Sequence, residues 1–256
     1  MKRSTGVLSL LTITLFAVTL AATQAQDLFK GPAPENREVV VVLHGLARSS
    51  AAMWLLHLRL HRAGYQVETV GYRSMSQTPE EIVADISRQI DACCKQIDKK
   101  VHFVGHSLGG LMIRAYLQEN RPQKLGRVVL IGTPNQGTAM ADHFRDKWWA
   151  GMAGPTALSL GTDDASFPRS LPDPDYSVGV IAGIGRQQMD DRILPGEDDG
   201  LVAVESTKLN GMRDFIVVNT GHSMMRYDEA VAMQTISFLR NGAFDKQALA
   251  SPQERH

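Results

Sequence analysis

The stretch Val101-His102-Phe103-Val104-Gly105-His106-Ser107-Leu108-Gly109-Gly110 reads as a strand that turns directly into a helix. Four apolar-rich residues come first, and the helical pattern Leu111-Met112-Ile113-Arg114-Ala115-Tyr116-Leu117 comes after. Between them stands a serine in the frame G-x-S-x-G. A turn this tight forces the serine into strained backbone angles, and the flanking glycines let strand and helix pass without side-chain clashes. The hydroxyl of Ser107 is then expected at the end of a sheet, open to a substrate.

A serine hydroxyl is a weak nucleophile at neutral pH. It needs a base to take its proton and a third group to orient the base. In sheets with such a turn the order along the chain is serine, acid, histidine. His143 follows Ser107 too closely, and His256 ends a polar tail. His222 lies in Asn219-Thr220-Gly221-His222-Ser223, just past the last apolar run. The carboxyl end of a strand is where α/β sheets carry functional groups, so His222 is the expected base. The acid belongs between the two, among Asp190, Asp191, Glu197, Asp198 and Asp199. Asp199 is preferred, because Gly200 and then Leu201-Val202 follow it and can dock its loop; Asp198 is the runner-up.

An oxyanion formed on such a serine needs two backbone N–H donors. Leu108, at the start of the helix, supplies one. The other is expected from Leu46, in the loop Leu43-His44-Gly45-Leu46-Ala47 after the first strand. His44 reads as a loop-bracing residue without a part in proton transfer.

Outward from this centre, apolar runs alternate with helical patterns. The runs are Val39 to Leu43, Tyr65 to Val70, Val101 to Val104, Val128 to Ile131, Tyr176 to Ala182 and Phe215 to Val218. Several lack polar alternation, the pattern of strands buried on both faces in a parallel sheet covered by helices. Helices are expected over Ala51 to Ala63, from Thr78-Pro79-Glu80-Glu81 onward with Ile82, Ile86 and Ile90 in one stripe, over Leu111 to Gln118, and over Tyr227 to Leu239. The fold class is therefore α/β, a mostly parallel sheet of about six strands.

From about Thr138 to Asp175 no strand pattern occurs. That is too long for an ordinary connection and reads as a lid or cap inserted over the site. Trp148, Trp149 and Met152 are its candidate substrate-facing residues, with Leu158 and Leu160.

The first 25 residues read as a secretory signal peptide: Met1-Lys2-Arg3, an apolar run from Gly6, and small residues up to a cut after Ala25. The mature protein is then expected in a periplasm or outside the cell, with one folded domain over 26–245 and a flexible tail over 246–256. Cys93 and Cys94 are adjacent and have no distant partner. A bond between neighbours fits poorly inside a helix, so both are expected as thiols. Formal net charge is zero over 256 residues, which gives no reason to expect nucleic acid or an anionic membrane as partner. Oligomeric state is not encoded in any of these patterns.

Taken together, His44-Gly45-Leu46, Gly105 to Gly110, Ile131-Gly132-Thr133-Pro134-Asn135-Gln136-Gly137-Thr138, Asp199-Gly200-Leu201-Val202 and Gly221-His222 resemble the α/β-hydrolase superfamily, in its bacterial lipase and esterase branch. The resemblance departs at Asn135, where histidine is usual, and at Met224, where secreted lipases carry a calcium-binding carboxylate. It implies cleavage of a small-molecule or lipid carboxylic ester through an acyl-enzyme, lipid contact through the lid, and no cofactor or metal. The alternatives are an acyltransferase or thioesterase with the same three residues, or a binding protein on the same scaffold.

Overall fold

The computed structural model describes residues 37–94, 97–147, 150–185 and 193–250. The expected cleavage after Ala25, the residues Trp148, Trp149, Asp190 and Asp191, and His256 lie outside them.

Six strands form one sheet: β1 (Val39–Leu43), β2 (Gln66–Val70), β3 (Val101–His106), β4 (Leu125–Ile131), β5 (Val178–Gly183) and β6 (Asp214–Val218). Their order is β2-β1-β3-β4-β5-β6, and every pairing is parallel. Each of β1, β3 and β5 is buried along its whole length, as strands covered on both faces must be. The strand positions expected from sequence agree with these bounds to within about three residues, inside the ordinary uncertainty of such readings.

Parallel strands require crossovers, and these supply the helices. In chain order they are α1 (Trp54–Arg62), α2 (Pro79–Cys94), α3 (Leu108–Glu119), α4 (Ala139–Arg145), α5 (Pro155–Leu158), α6 (Phe167–Ser170), α7 (Val204–Thr207), α8 (Glu229–Asn241) and α9 (Lys246–Ala250). Alternate strand residues feed two separate cores. Val39, Val41, Leu43, Phe103 and Leu130 meet Ile82, Ile86 and Ile90 of α2 and Leu111 of α3. Val40, Val42, Val104 and Ile131 meet Leu56 and Leu60 of α1 and Ile236 and Phe238 of α8. Burying each such side chain contributes about 1.5–3 kcal/mol, so the two helical layers hold the sheet between them.

Local signals set the helix ends. Thr78 and Glu81 bond each other's backbone N–H groups in a capping box at the start of α2. Asp228 caps α8 by accepting from Val231 N–H, and Gly242, at φ +74°, ends it. This cap explains why α8 begins at Glu229 rather than at Tyr227.

One expectation needs correction. Cys93 and Cys94 are joined to each other in a disulfide. The pair occupies the last two positions of α2, outside the helix interior where linked neighbours fit poorly. Beyond α8, Phe244 packs on Phe238 with ring centroids 5.0 Å apart, and α9 follows.

Candidate active site

Ser107 stands between β3 and α3 with φ 56° and ψ −125°. A non-glycine residue holds such a conformation only where its surroundings dictate it. Here the backbone N–H of Ser107 donates to Ile131 O of the neighbouring strand at 2.8 Å. The glycines around it are sterically required. A Cβ at Gly105 would come within 2.5 Å of Gly110 N, and one at Gly109 within 2.6 Å of His44 O.

The structure brings Ser107, His222 and Asp199 together. Asp199 Oδ2 accepts from His222 Nδ1–H at 2.7 Å. That bond selects the tautomer whose Nε2 lone pair faces Ser107, and the Ser107 hydroxyl donates to His222 Nε2 at 2.9 Å. Asp199 is fully buried. Its other oxygen accepts from Leu201 N–H at 3.0 Å and Val202 N–H at 2.8 Å, so the docking role read for Leu201-Val202 is carried by their backbones. The chain also links the pair directly, because His222 N–H donates to Asp199 O at 2.8 Å. Asp198 has a different place: its carboxylate accepts from Gly200 N–H at 2.6 Å and shapes the loop.

Leu108 opens α3, where the first N–H groups of a helix have no intrahelical acceptor. Leu46 lines the cleft from the loop after β1. That loop is braced by His44, which is fully buried. Tyr72 N–H donates to His44 Nε2 at 3.3 Å, leaving Nδ1–H to donate to Gly45 O at 2.8 Å. The Tyr72 hydroxyl also donates to His44 O, and the two rings stack at 4.1 Å. Burial holds the His44 imidazole below its ordinary pKa, so it braces the loop as a neutral ring.

Sequence reasoning missed two supports. His106 is buried against the base, and its Nε2–H donates to His222 O at 2.9 Å. Burial, and after it the neighbouring His222 charge, drive the His106 pKa well below its usual value. Gly132, at φ +55°, covers the acid–base bond: a Cβ there would meet Asp199 Oδ2 at 3.2 Å and His222 Nδ1 at 3.3 Å. The Gly132-Thr133-Pro134 segment was noticed as a motif, but its contact with residues 67 and 90 positions later has no local sequence signal.

Ser107 and His222 open into a cleft of about 370 Å³, a size suited to a small ligand or one acyl arm. The segment read as an insertion forms one wall: Met140, Ala141 and Phe144 of α4, then Ala153, Ala157, Leu158 and Leu160. The spacing of Met140 and Phe144 on one helical face was the available signal for these residues. Met152 is 71% exposed and lies off the cleft, whose wall takes its neighbour Ala153 instead. Asn135 is buried: its side chain accepts from Arg114 Nη1 at 3.2 Å and donates to Thr207 O at 2.6 Å. In place of a histidine it joins three parts of the chain.

A family model described as palmitoyl protein thioesterase matches residues 39–166, half of the chain. No curated protein matches the sequence. Among solved structures, a lipase of Bacillus licheniformis in mature form is 19% identical, with TM-score 0.60 over 82% of this chain and 91% of that one. A phospholipase from Legionella pneumophila is 16% identical, with TM-score 0.64 over 80% of this chain and 59% of that one. An extracellular α/β-hydrolase from a Paenibacillus species is 16% identical, with TM-score 0.51 over 78% and 98%. At these identities the likeness shows the α/β-hydrolase fold.

Proposed function

Because the chain belongs to the palmitoyl protein thioesterase family, we propose that it is a serine hydrolase that cleaves acyl esters through an acyl-enzyme. The observation that carries this reading is the continuous hydrogen-bonded line from Ser107 through His222 to buried Asp199. Ser107 Oγ attacks the acyl carbon while His222 Nε2 takes its proton. Asp199 holds the imidazole in the productive tautomer and stabilises the imidazolium. Leu46 and Leu108 N–H groups hold the oxyanion, each such donor being worth about 3 kcal/mol in the barrier. His222 then gives its proton to the leaving oxygen or sulfur, the acyl–leaving-group bond breaks, and water releases the acid by the same steps in reverse.

The family match favours a second form of the same reading, in which the bond cleaved is a thioester. The apolar wall of the cleft accepts an acyl chain in either case, with short and medium chains fitting its volume. The strand-free segment from about Thr138 to Asp175 acts in this proposal as the cap over that chain. Turnover of p-nitrophenyl esters and of matched thioesters across chain lengths tests the reading. Folded protein that turns over none of them refutes it. Ser107→Ala is expected to abolish labelling by a fluorophosphonate probe.

We also propose that the enzyme is exported, from the basic start and apolar run of its first 25 residues. The Cys93–Cys94 disulfide accords with an oxidising compartment. Mass measurement of the mature chain is expected to find an N-terminus at Gln26; an intact Met1 in the extracytoplasmic fraction contradicts cleavage.

A further inference from the structure

The wall of the cleft carries charge of one sign. Among the described residues, Arg48, Arg145 and Arg226 line it, and no aspartate or glutamate does. Arg145 is neutralised by Asp142 and Asp163, at 3.1 and 2.8 Å. Arg48 and Arg226 have no carboxylate partner among the described residues. Arg48 Nη1 donates to Ala47 O at 3.0 Å, and its side chain is exposed at the cleft mouth.

Arg226 is the more unusual of the two. It is 9% exposed, its Nε has no hydrogen-bond partner, and its guanidinium rests on the Tyr227 ring at 4.6 Å. A buried cation without a counter-charge is costly unless an anion completes it. The contrast with Arg114 is direct. Arg114, more deeply buried at 4% exposed, also leaves its Nε unpartnered, yet its terminal nitrogens donate to the oxygens of Asn135, Pro168, Leu171 and Pro172.

Position decides which part of a substrate the two free arginines meet. The leaving group must come within hydrogen-bond reach of His222 Nε2 to receive its proton. Arg226 is four residues past His222, Arg48 is two past Leu46, and both line the same cleft as Ser107 and His222. Both also act electrostatically on His106, whose ring lies 5.0 Å from that of His222. The apolar residues Met140, Phe144, Leu158 and Leu160 come from the other segment, where the acyl chain would run.

We infer that the cleft selects acyl esters whose leaving group carries a phosphate, held by Arg226 and Arg48. The inference rests on the hydrolase reading above. Guanidinium forks match phosphate oxygens in geometry and charge, and two of them balance its near-double negative charge at neutral pH. A phosphorylated alcohol or a phosphorylated thiol would supply the same chemistry.

The test compares kcat/KM on matched pairs with one acyl chain: butyryl glycerol against butyryl glycerol 3-phosphate, and butyryl N-acetylcysteamine against butyryl coenzyme A. The wild type is expected to favour the phosphate-bearing member of at least one pair by about tenfold or more, with the preference shrinking as salt rises. The pair that shows it identifies an oxygen or a sulfur leaving group. Arg226→Gln is expected to bring the ratio towards one, and Arg226→Lys to keep part of it. Arg48→Gln, at an exposed site where folding is not at risk, is expected to lower the ratio independently. Equal turnover of both members by the wild type, or a ratio that persists in both glutamine variants, overturns the inference and leaves the hydrolase reading intact. Turnover of none of the four by folded protein removes both.

Discussion

At the scale of single residues, two adjacent carboxylates have opposite environments. Asp199 is fully buried and spends one oxygen on His222; Asp198 is only partly buried and closes a turn onto Gly200. Asp199→Asn is therefore expected to lower turnover by about 10³–10⁴-fold, because an amide stabilises the wrong imidazole tautomer. Asp198→Asn keeps an acceptor for Gly200 N–H and is expected to cost less than tenfold. Steady-state kinetics on one ester distinguish them, and an Asp198 variant with the larger loss would reverse the assignment. The meeting of Ser107, His222 and Asp199 was legible in sequence because their turn and strand-end signals are local. His106 was not read as a support, since its acceptor is a backbone carbonyl 116 positions away.

At the scale of elements, Arg114 links α3 to the loop after β4 and to the returning arm of the strand-free segment. It donates to oxygens of Asn135, Pro168, Leu171 and Pro172 at 3.0–3.5 Å. Burial pushes its pKa down to about 10, so it stays charged at neutral pH. Arg114→Met is expected to leave several buried carbonyls without donors and to lower stability by about 3 kcal/mol in urea unfolding. Arg114→Lys should recover little, because one ammonium cannot reach the same spread of acceptors. A loss below about 1 kcal/mol would mean that the arm is held by its apolar contacts alone. The strands and crossover helices were visible as apolar runs and stripes. The wall of the cleft was visible only as a gap in the strand pattern, because which of its residues face Ser107 depends on how its short helices fold back. The disulfide escaped for a related reason: pairing of Cys93 with Cys94 depends on the helix stopping there.

At the scale of the whole molecule, three buried histidines tie stability to pH. Burial, as the leading cause, lowers the pKa of His44, His102 and His106 from 6.5. His102 has an opposing partner in Glu38 at 3.0 Å, yet its net direction is still down. Between each folded-state pKa and 6.5 the unfolded chain binds more protons than the folded one, so stability rises with pH through that window. The contribution is complete above about pH 6.5 and is lost progressively as pH falls below it. Urea midpoints are expected to drop between pH 7 and pH 5; a flat profile would mean that these rings gain compensating partners on protonation.

The all-parallel strand order has a temporal consequence. Ser107 is carried between β3 and α3, in the middle of the sheet, whereas His222 follows β6, an edge strand more than 100 residues later. Parallel neighbours so far apart in the chain dock slowly and late. A ribosome that has made Ser107 has therefore made a harmless hydroxyl. Under the proposed mechanism the growing chain carries no working catalyst until β6 and the His222 loop arrive, so a product that ends before them is inert.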